Sequence, residues 1–109
     1  MNHMDIKTHV CANREFLGTP LEVVEGKYAK VELVTKESMA VDDWGLIHGG
    51  FAFGLADYAA MLAVNDPNVV LGSAKARFTA PVKNGEKMVA EAKVEAVDRR
   101  KRIVVTEIT

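Results

Sequence analysis

The sequence predicts an α+β fold in which antiparallel strands curl around one long helix. The stretch Phe51–Val64 is rich in Ala, Leu and Met, and a helix without a polar stripe is one enclosed by its surroundings. Two stretches that alternate between apolar and polar residues precede it, and three strand-like stretches follow it. Runs of antiparallel strands around one long helix indicate an α+β fold.

The first half of the chain supplies two of these strands. Residues 1–18 are predicted to be a lead-in helix or loop that breaks at Gly18 and Pro20. Leu21–Val24 is a short predicted strand, and Lys27–Thr35 alternates as a half-buried strand does. The following residues, up to Ile47, show no clear period and are predicted to be a loop.

The helix is predicted to span about residues 49–65. It begins after His48, and Pro67 cannot continue its hydrogen bonding. Small side chains recur along it and allow a close approach to a sheet: Ala52, Gly54, Ala56, Ala59, Ala60 and Ala63.

Three more strands are predicted after the helix, which makes five in all. They are Val70–Ala80, Lys87–Val97 and Arg102–Thr109. The second and third are joined by a hairpin tip at Asp98–Lys101.

The bulk composition bounds the class of protein. A chain of 109 residues predicts one domain, residues 1–109. A net charge of −1 gives no attraction to nucleic acid or to an anionic membrane. The start, MNHMDIKTHV, lacks a signal-peptide pattern, and no apolar run approaches the ~20 residues of a membrane span. A single cysteine, Cys11, fits a reducing compartment, and we expect a cytoplasmic protein.

Asp57 is the one carboxylate within the apolar helix. Its neighbours one turn away cannot pair with a charge, and an enclosed carboxylate costs several kcal/mol unless it finds partners or a proton. One interpretation gives Asp57 a partner elsewhere, such as a hydroxyl or Arg77. The other makes it a desolvated base or nucleophile.

His48, Gly49 and Gly50 mark the start of the helix. Two glycines allow a sharp entry and a close backbone approach to a ligand. The N–H groups of a first helical turn lack intrahelical partners and lie at the positive end of the helix dipole, so they favour an oxyanion or a polarised carbonyl. A plain glycine turn, with His48 holding the loop, is the structural alternative.

Spacing connects these two features. Gly50 and Asp57 are seven residues apart, roughly 10 Å along a helix, whereas both groups must lie about 3 Å from one reacting carbonyl. If they share one reaction, two antiparallel helices from two chains must form the site. The protein is then predicted to be at least a dimer.

The stretch GLIHGGFAFGLADYAAMLAVN and the later ARFTAPVKNGEKMVAEAKV resemble the hotdog-fold acyl-CoA thioesterases. The similarity is greatest to the phenylacetyl-CoA thioesterase-like (PaaI-type) subfamily. It implies a five-stranded antiparallel sheet wrapped around a long helix, assembled as a homodimer and often as a homotetramer.

The resemblance also implies roles for residues. The N–H groups at Gly49 and Gly50 would polarise a thioester carbonyl, and Asp57 of the partner chain would attack it or activate water. His48 would orient the loop and the thioester. Similar proteins often carry Asn where this chain has Asp42, which replaces a hydrogen-bond donor by an acceptor. That change would repel a carboxylated acyl group, supply a second acid or weaken catalysis.

Four further residues are candidates for substrate binding. Phe51 either lines the acyl chamber or packs, and Asn65 either contacts the acyl pocket or ends the helix. Arg99 and Arg100, in the cationic hairpin tip, either bind coenzyme A phosphates or lie on a solvated turn. The three histidines lack the spacing of metal ligands, so we expect no metal site and no cofactor apart from coenzyme A as part of the substrate.

These observations predict an acyl-CoA thioesterase that releases a free acid and coenzyme A. A non-catalytic acyl-CoA binding or sensing protein is the alternative, because the same pocket can hold a thioester without cleaving it. An enoyl-thioester hydratase is less favoured, because the spacing of His48 and Asp57 does not place a histidine and an acid together.

Overall fold

The computed structural model describes residues 4–109, so Met1, Asn2 and His3 lie outside the described residues. The regular elements, in chain order, are helix α1 (Arg14–Leu17), strands β1 (Thr19–Val24) and β2 (Tyr28–Val34), a 3-10 turn (Glu37–Met39), helix α2 (Gly49–Val64), and strands β3 (Lys87–Asp98) and β4 (Lys101–Ile108). Among these residues, no helix is both long and apolar enough to cross a membrane.

The strands form one antiparallel sheet in the order β1-β2-β3-β4. Its register sets Ala29 opposite Ala92 and Val31 opposite Ala90. The alternation in the sequence therefore correctly predicts which residues share a face.

Helix α2 packs mainly on β2 and β3. The contact is built from small and branched side chains with no solvent exposure, namely Ala29, Val31, Leu55, Ala59, Leu62, Ala63, Ala90 and Ala92. Alanines on both surfaces let the helix and the sheet approach closely. The predicted α+β arrangement of antiparallel strands around a central helix is confirmed.

The sheet has four strands, whereas the sequence predicts five. Val70–Ala80 is exposed throughout and pairs with no strand. Alternation along a segment reports which side chains share a face, but a strand also needs a neighbouring edge for its N–H and C=O groups. In the single chain this segment finds no such edge.

The chain before the sheet forms an N-terminal strap, residues 5–17, that runs along α2 in the opposite direction. Leu17 lies over Gly54, where an added Cβ would be 3.1 Å from Leu17 Cδ2. The rings of Phe16 and Phe51 are 6.1 Å apart between centroids.

Asn65 fastens the other end of the N-terminal strap. The Lys7 N–H donates to Asn65 Oδ1 at 2.8 Å, and Asn65 Nδ2 donates to the Asp5 carbonyl at 2.7 Å. Asn65 also ends α2 in the left-handed conformation, with φ of 54°, which asparagine tolerates better than most residues.

Gly18 is a position where a side chain has no room. Its φ is +109°, and an added Cβ would lie 2.7 Å from Val31 Cγ1 and 2.9 Å from Leu55 Cδ1. We expect Gly18→Ala to lower the free energy of unfolding by about 2–4 kcal/mol, through overpacking and backbone strain. Gly72→Ala is the matched control, because nothing lies within 4 Å of the Cβ added there. Equal denaturant midpoints for the two variants would contradict this account.

Candidate functional site

Asp57 lies on the side of α2 opposite the sheet. A helix turns by about 100° per residue, so Asp57 lies roughly 160° around the helix from the sheet-facing Leu55. Asp57 is half-buried, and so are the apolar residues that share its face, Phe53, Ala60 and Val64. The predicted enclosed acid is therefore at the edge of an apolar helix face that the described residues leave partly uncovered.

The carboxylate of Asp57 has no hydrogen-bonding partner at one of its oxygens. Oδ1 is buried and unpaired, and none of the ion pairs within residues 4–109 includes Asp57. Burial raises the pKa of Asp57 above its ordinary value of 3.8, and the nearby His9 partly opposes that rise. Arg77, the partner considered from the sequence, does not pair with it.

The start of α2 is capped by His48. The Gly50 N–H donates to His48 Nδ1 at 2.7 Å, so a neutral His48 ring carries its proton on Nε2. In this state the Gly50 N–H, predicted to polarise a carbonyl, is used within the helix cap. A carbonyl oxygen would have to share that donor or replace the imidazole.

Glycine at position 50 makes room for this cap. A Cβ at Gly50 would lie 2.7 Å from His48 Nδ1, whereas one at Gly49 would lie 3.7 Å from the Phe78 ring, which is an ordinary contact. The two glycines therefore have different roles, and only Gly50 is required by the position of the His48 ring.

An open cleft of about 360 Å³ lies at this end of α2. Its walls are residues 46–49 and Ala52 on the helix side, residues 78–82 opposite them, and Met88 of β3. The lining is mostly apolar, and the volume falls at the lower end of the range for small-molecule sites. The cleft exposes His48 and Gly49 to a ligand.

Asp57 does not line this cleft. It is about two helical turns from Gly50, or roughly 10 Å along the axis. Within one chain, the unpaired carboxylate and the N-terminal cleft are therefore separate half-sites.

Asp42 organises the loop that leads to the cleft. Its Oδ1 accepts hydrogen bonds from the N–H groups of Trp44 and Leu46, each at 3.0 Å. Both bonds need only an acceptor, which an asparagine would supply equally well. An aspartate here therefore keeps both hydrogen bonds and differs from an asparagine in presenting an oxygen, Oδ2, where the asparagine would present an NH2 group.

Phe51 and Asn65, two other predicted substrate contacts, do not line the cleft. Phe51 is half-buried between the rings of Phe16 and His48, outside the cleft lining. Both ends of the Asn65 amide are occupied by the backbone of the N-terminal strap, which favours its role at the helix end.

Arg99 and Arg100 are at the exposed tip of the β3–β4 hairpin. Met88 of the cleft is at the other end of β3, so the tip is roughly 30 Å away at ~3.3 Å per strand residue. A chain therefore does not bring its own two arginines to its own cleft. Arg99 holds a φ of +55°, and Arg102 Nη1 donates to its carbonyl at 2.9 Å.

His9 is the residue near Asp57 that the sequence did not reveal as part of a site. It belongs to the N-terminal strap and lies 48 positions from Asp57. No periodicity or motif connects the two. Within residues 4–109, no three potential ligands gather into a metal site.

Comparison with known proteins adds a family and several relatives. Residues 45–109 match the model of the Thioesterase superfamily. The chain is 52% identical over 104 residues to a methylthioribose-1-phosphate isomerase of Aquifex aeolicus. The aligned residues make up 95% of this chain but only 23% of the isomerase. It is 38% identical over 63 residues to the transcription factor FapR of Bacillus subtilis, covering 58% of this chain and 34% of FapR. The chain thus spans about a quarter to a third of these curated relatives.

Solved structures share the fold. A crystal structure of an uncharacterised protein from Pyrococcus horikoshii aligns with a TM-score of 0.95 and 52% identity, over 100% of this chain and 83% of that one. A mutant of the phenylacetic acid degradation protein PaaI from Thermus thermophilus aligns with a TM-score of 0.76 and 30% identity, over 88% of this chain and 84% of that one. The likeness to PaaI-type proteins that the sequence indicates is confirmed.

Replacing Asp57 should stabilise the protein. The pKa of Asp57 is higher in the folded state than in the unfolded state, so the folded state binds this proton more tightly. The free energy of unfolding therefore falls as the pH rises from about 3.8 through the higher pKa of the folded state. We expect Asp57→Asn to raise the free energy of unfolding at pH 7 by roughly 0.5–1 kcal/mol, a value discounted for solvent screening. The gain should vanish below the ordinary carboxyl pKa. Urea titrations at pH 3 and pH 7 measure it, and an equal difference at both would contradict it.

The two glycines at the helix start should respond differently to alanine. Gly50→Ala displaces the His48 ring and removes the cap, so we expect it to be about 1 kcal/mol less stable than Gly49→Ala. The nitrogen-15 chemical shifts of His48 should show loss of the fixed tautomer in Gly50→Ala alone. An unchanged tautomer in that variant would refute the proposed cause.

Proposed function

The chain belongs to the thioesterase superfamily, and from this membership we propose that it hydrolyses an acyl-CoA thioester to a free acid and coenzyme A. The observation that supports the proposal most directly is the unpaired, buried oxygen of Asp57 on an apolar helix face. Native proteins rarely leave such a group unsatisfied, and functional sites are a common reason.

Asp57 would act on the thioester in one of two ways. As a nucleophile, its carboxylate bonds to the carbonyl carbon, the C–S bond breaks, and water then hydrolyses the resulting anhydride. As a general base, it takes a proton from water, whose oxygen forms the new C–O bond as coenzyme A leaves with the sulfur. Both routes need the ionised form of Asp57.

The helix start would stabilise the charge that develops on the carbonyl oxygen. The cleft presents the first turn of α2, with Gly49 in its wall. The N–H groups of a first helical turn lack intrahelical carbonyl partners, so they favour a negatively charged group. Binding of the carbonyl oxygen at Gly50 would compete with the His48 cap. His48 Nε2–H would then remain as a donor at the edge of the cleft.

Two chains would be needed to assemble this chemistry. The half-sites are about 10 Å apart along one helix, and antiparallel pairing of two α2 helices would set the cleft of one chain beside Asp57 of the other. The partly uncovered face of Phe53, Ala60 and Val64 suits such a contact. We propose a homodimer, and a homotetramer as its further assembly.

Arg99 and Arg100 fit this scheme only as contacts from another chain. Their guanidinium groups suit the phosphates of coenzyme A. Because their tip is roughly 30 Å from the cleft of the same chain, it would reach a phosphate only at the site of a neighbouring subunit.

The proposed function is tested by turnover of a panel of aromatic, short and medium acyl-CoA thioesters. We expect Asp57→Asn to reduce kcat/KM by about 10²–10⁴-fold, the usual contribution of a positioned base. Asp66→Asn is the matched control, since Asp66 is an exposed acid just beyond the helix that accepts a hydrogen bond from the Asn68 N–H through Oδ1. No turnover of any thioester by the wild-type chain would refute the proposal.

A non-catalytic acyl-CoA sensor is the second candidate, because the similarity to a transcription factor, FapR, favours a binding role without turnover. The same cleft and helix start would then bind the thioester without cleaving it. Saturable binding of an acyl-CoA with no free thiol released, in the same panel, would select this function over hydrolysis.

A further inference from the structure

Phe78 is the largest apolar side chain in the wall of the cleft, and the residue is 61% exposed. It approaches α2 at the first residue of the helix, because a Cβ on Gly49 would lie 3.7 Å from Cε1 and 3.9 Å from Cδ1 of its ring. One edge of the ring therefore rests against the helix start, while much of the residue stays open to solvent. An apolar ring in this position gains free energy when a ligand in the cleft covers it.

The wall that carries Phe78 is attached to the loop before α2. The Ile47 N–H donates to the Val82 carbonyl at 2.8 Å, and the Asn84 N–H donates to the Gly45 carbonyl at 2.7 Å. Val82 is four residues after Phe78 and is itself part of the lining. These bonds hold the two sides of the cleft together near the helix start.

The lining of the cleft offers no full charge to a ligand. Among the described residues, the lining includes no aspartate, glutamate, lysine or arginine. His48 is its one ionisable side chain, and the imidazole is uncharged while its Nδ1 accepts the Gly50 N–H. A carboxylate bound here would lose hydration without gaining a charged partner, whereas an alkyl group gains from leaving water.

The position of the thioester carbonyl determines which part of a substrate meets Phe78. Under the proposed function, the carbonyl oxygen lies about 3 Å from an N–H of the first turn of α2. The carbonyl carbon bears two groups, the acyl chain and the sulfur of coenzyme A. The arm of coenzyme A beyond the sulfur contains amides, which need hydrogen-bonding partners when they are enclosed. The apolar wall beside Gly49 therefore suits the acyl chain better than the coenzyme A arm.

We propose that Phe78 is a specificity-determining residue: the acyl chain of the thioester lies on its ring, so that the cleft selects uncharged apolar acyl chains over chains that end in a carboxylate. The inference rests on the proposed function for the position of the carbonyl at the start of α2. It assigns the substrate class as neutral acyl chains longer than acetyl, because an acetyl group ends at the methyl beside the carbonyl and is too short to cover the ring.

The test measures the affinity for acyl-CoA analogues in which a methylene group replaces the thioester sulfur, which keeps the carbonyl and prevents hydrolysis. Isothermal titration calorimetry compares an acetyl analogue, a hexanoyl analogue and an analogue whose six-carbon chain ends in a carboxylate. Phe78→Ala removes the ring, and Phe78→Leu keeps an apolar side chain. Trp44→Ala is the matched control, because Trp44 is an aromatic residue, 85% exposed, that does not line the cleft.

We expect the wild-type chain to bind the hexanoyl analogue at least about tenfold more tightly than either of the other two. Phe78→Ala should weaken binding of the hexanoyl analogue by about 10- to 100-fold and binding of the acetyl analogue by less than about threefold. Phe78→Leu should show an intermediate loss for the hexanoyl analogue, and Trp44→Ala should show none. If Phe78→Ala does not fold, Phe78→Leu provides the same readout.

Three outcomes would overturn the inference. An equal loss of affinity for the acetyl and hexanoyl analogues in Phe78→Ala would show that the ring contacts the coenzyme A arm or is only structural. Binding of the carboxylated analogue by the wild-type chain as tightly as the hexanoyl analogue would show that the cleft does not exclude a charge. Failure of the wild-type chain to bind any of the three would show that the cleft is not an acyl site.

Turnover of the corresponding thioesters separates this inference from the proposed function. A preference for the hexanoyl analogue that depends on Phe78, with no thiol released from any thioester, would refute hydrolysis and support the selection of the acyl chain by Phe78. Hydrolysis with the same acyl preference in Phe78→Ala as in the wild-type chain would support the proposed function and overturn the role of Phe78.

Discussion

The close contact between α2 and the sheet is the constraint on which the rest of the structure depends. Leu55, Ala59 and Leu62 meet β2 and β3 with no solvent exposure, and this burial fixes the rotation of the helix about its axis. Once that face is committed, helical geometry places Asp57 on the far side. The side chains at this contact therefore determine which way the carboxylate faces, although they lie on the opposite side of the helix.

The same geometry divides the candidate site into two halves. The cleft belongs to the start of α2 and Asp57 to its middle, and a rigid helix keeps them two turns apart. A single chain therefore has a helix start suited to an oxyanion without an adjacent base, and a desolvated carboxylate without an adjacent ligand cleft. Burying Asp57 in this way costs stability, which is typical of residues kept for function rather than folding.

The N-terminal strap connects the fold to the site. Its hydrogen bonds to Asn65 and the packing of Leu17 on Gly54 hold both of its ends on α2. His9, between these ends, has its ring centroid 6.3 Å from that of Tyr58. An element that looks like a lead-in segment thus packs on the helix that carries the candidate catalytic acid.

The sequence by itself determined the long helix, four of the strands, their order and the isolated acid. Periodicity revealed β2, α2, β3 and β4, and composition alone marked Asp57 as out of place, because these signals depend on neighbours within a few residues. Only the tertiary structure decided that Val70–Ala80 lacks a strand partner, that Asn65 binds the N-terminal strap, that His48 occupies the Gly50 N–H, and that the His9 ring lies beside Tyr58. Each of these depends on which distant backbone or side-chain groups meet, and no local pattern of residues carries that information.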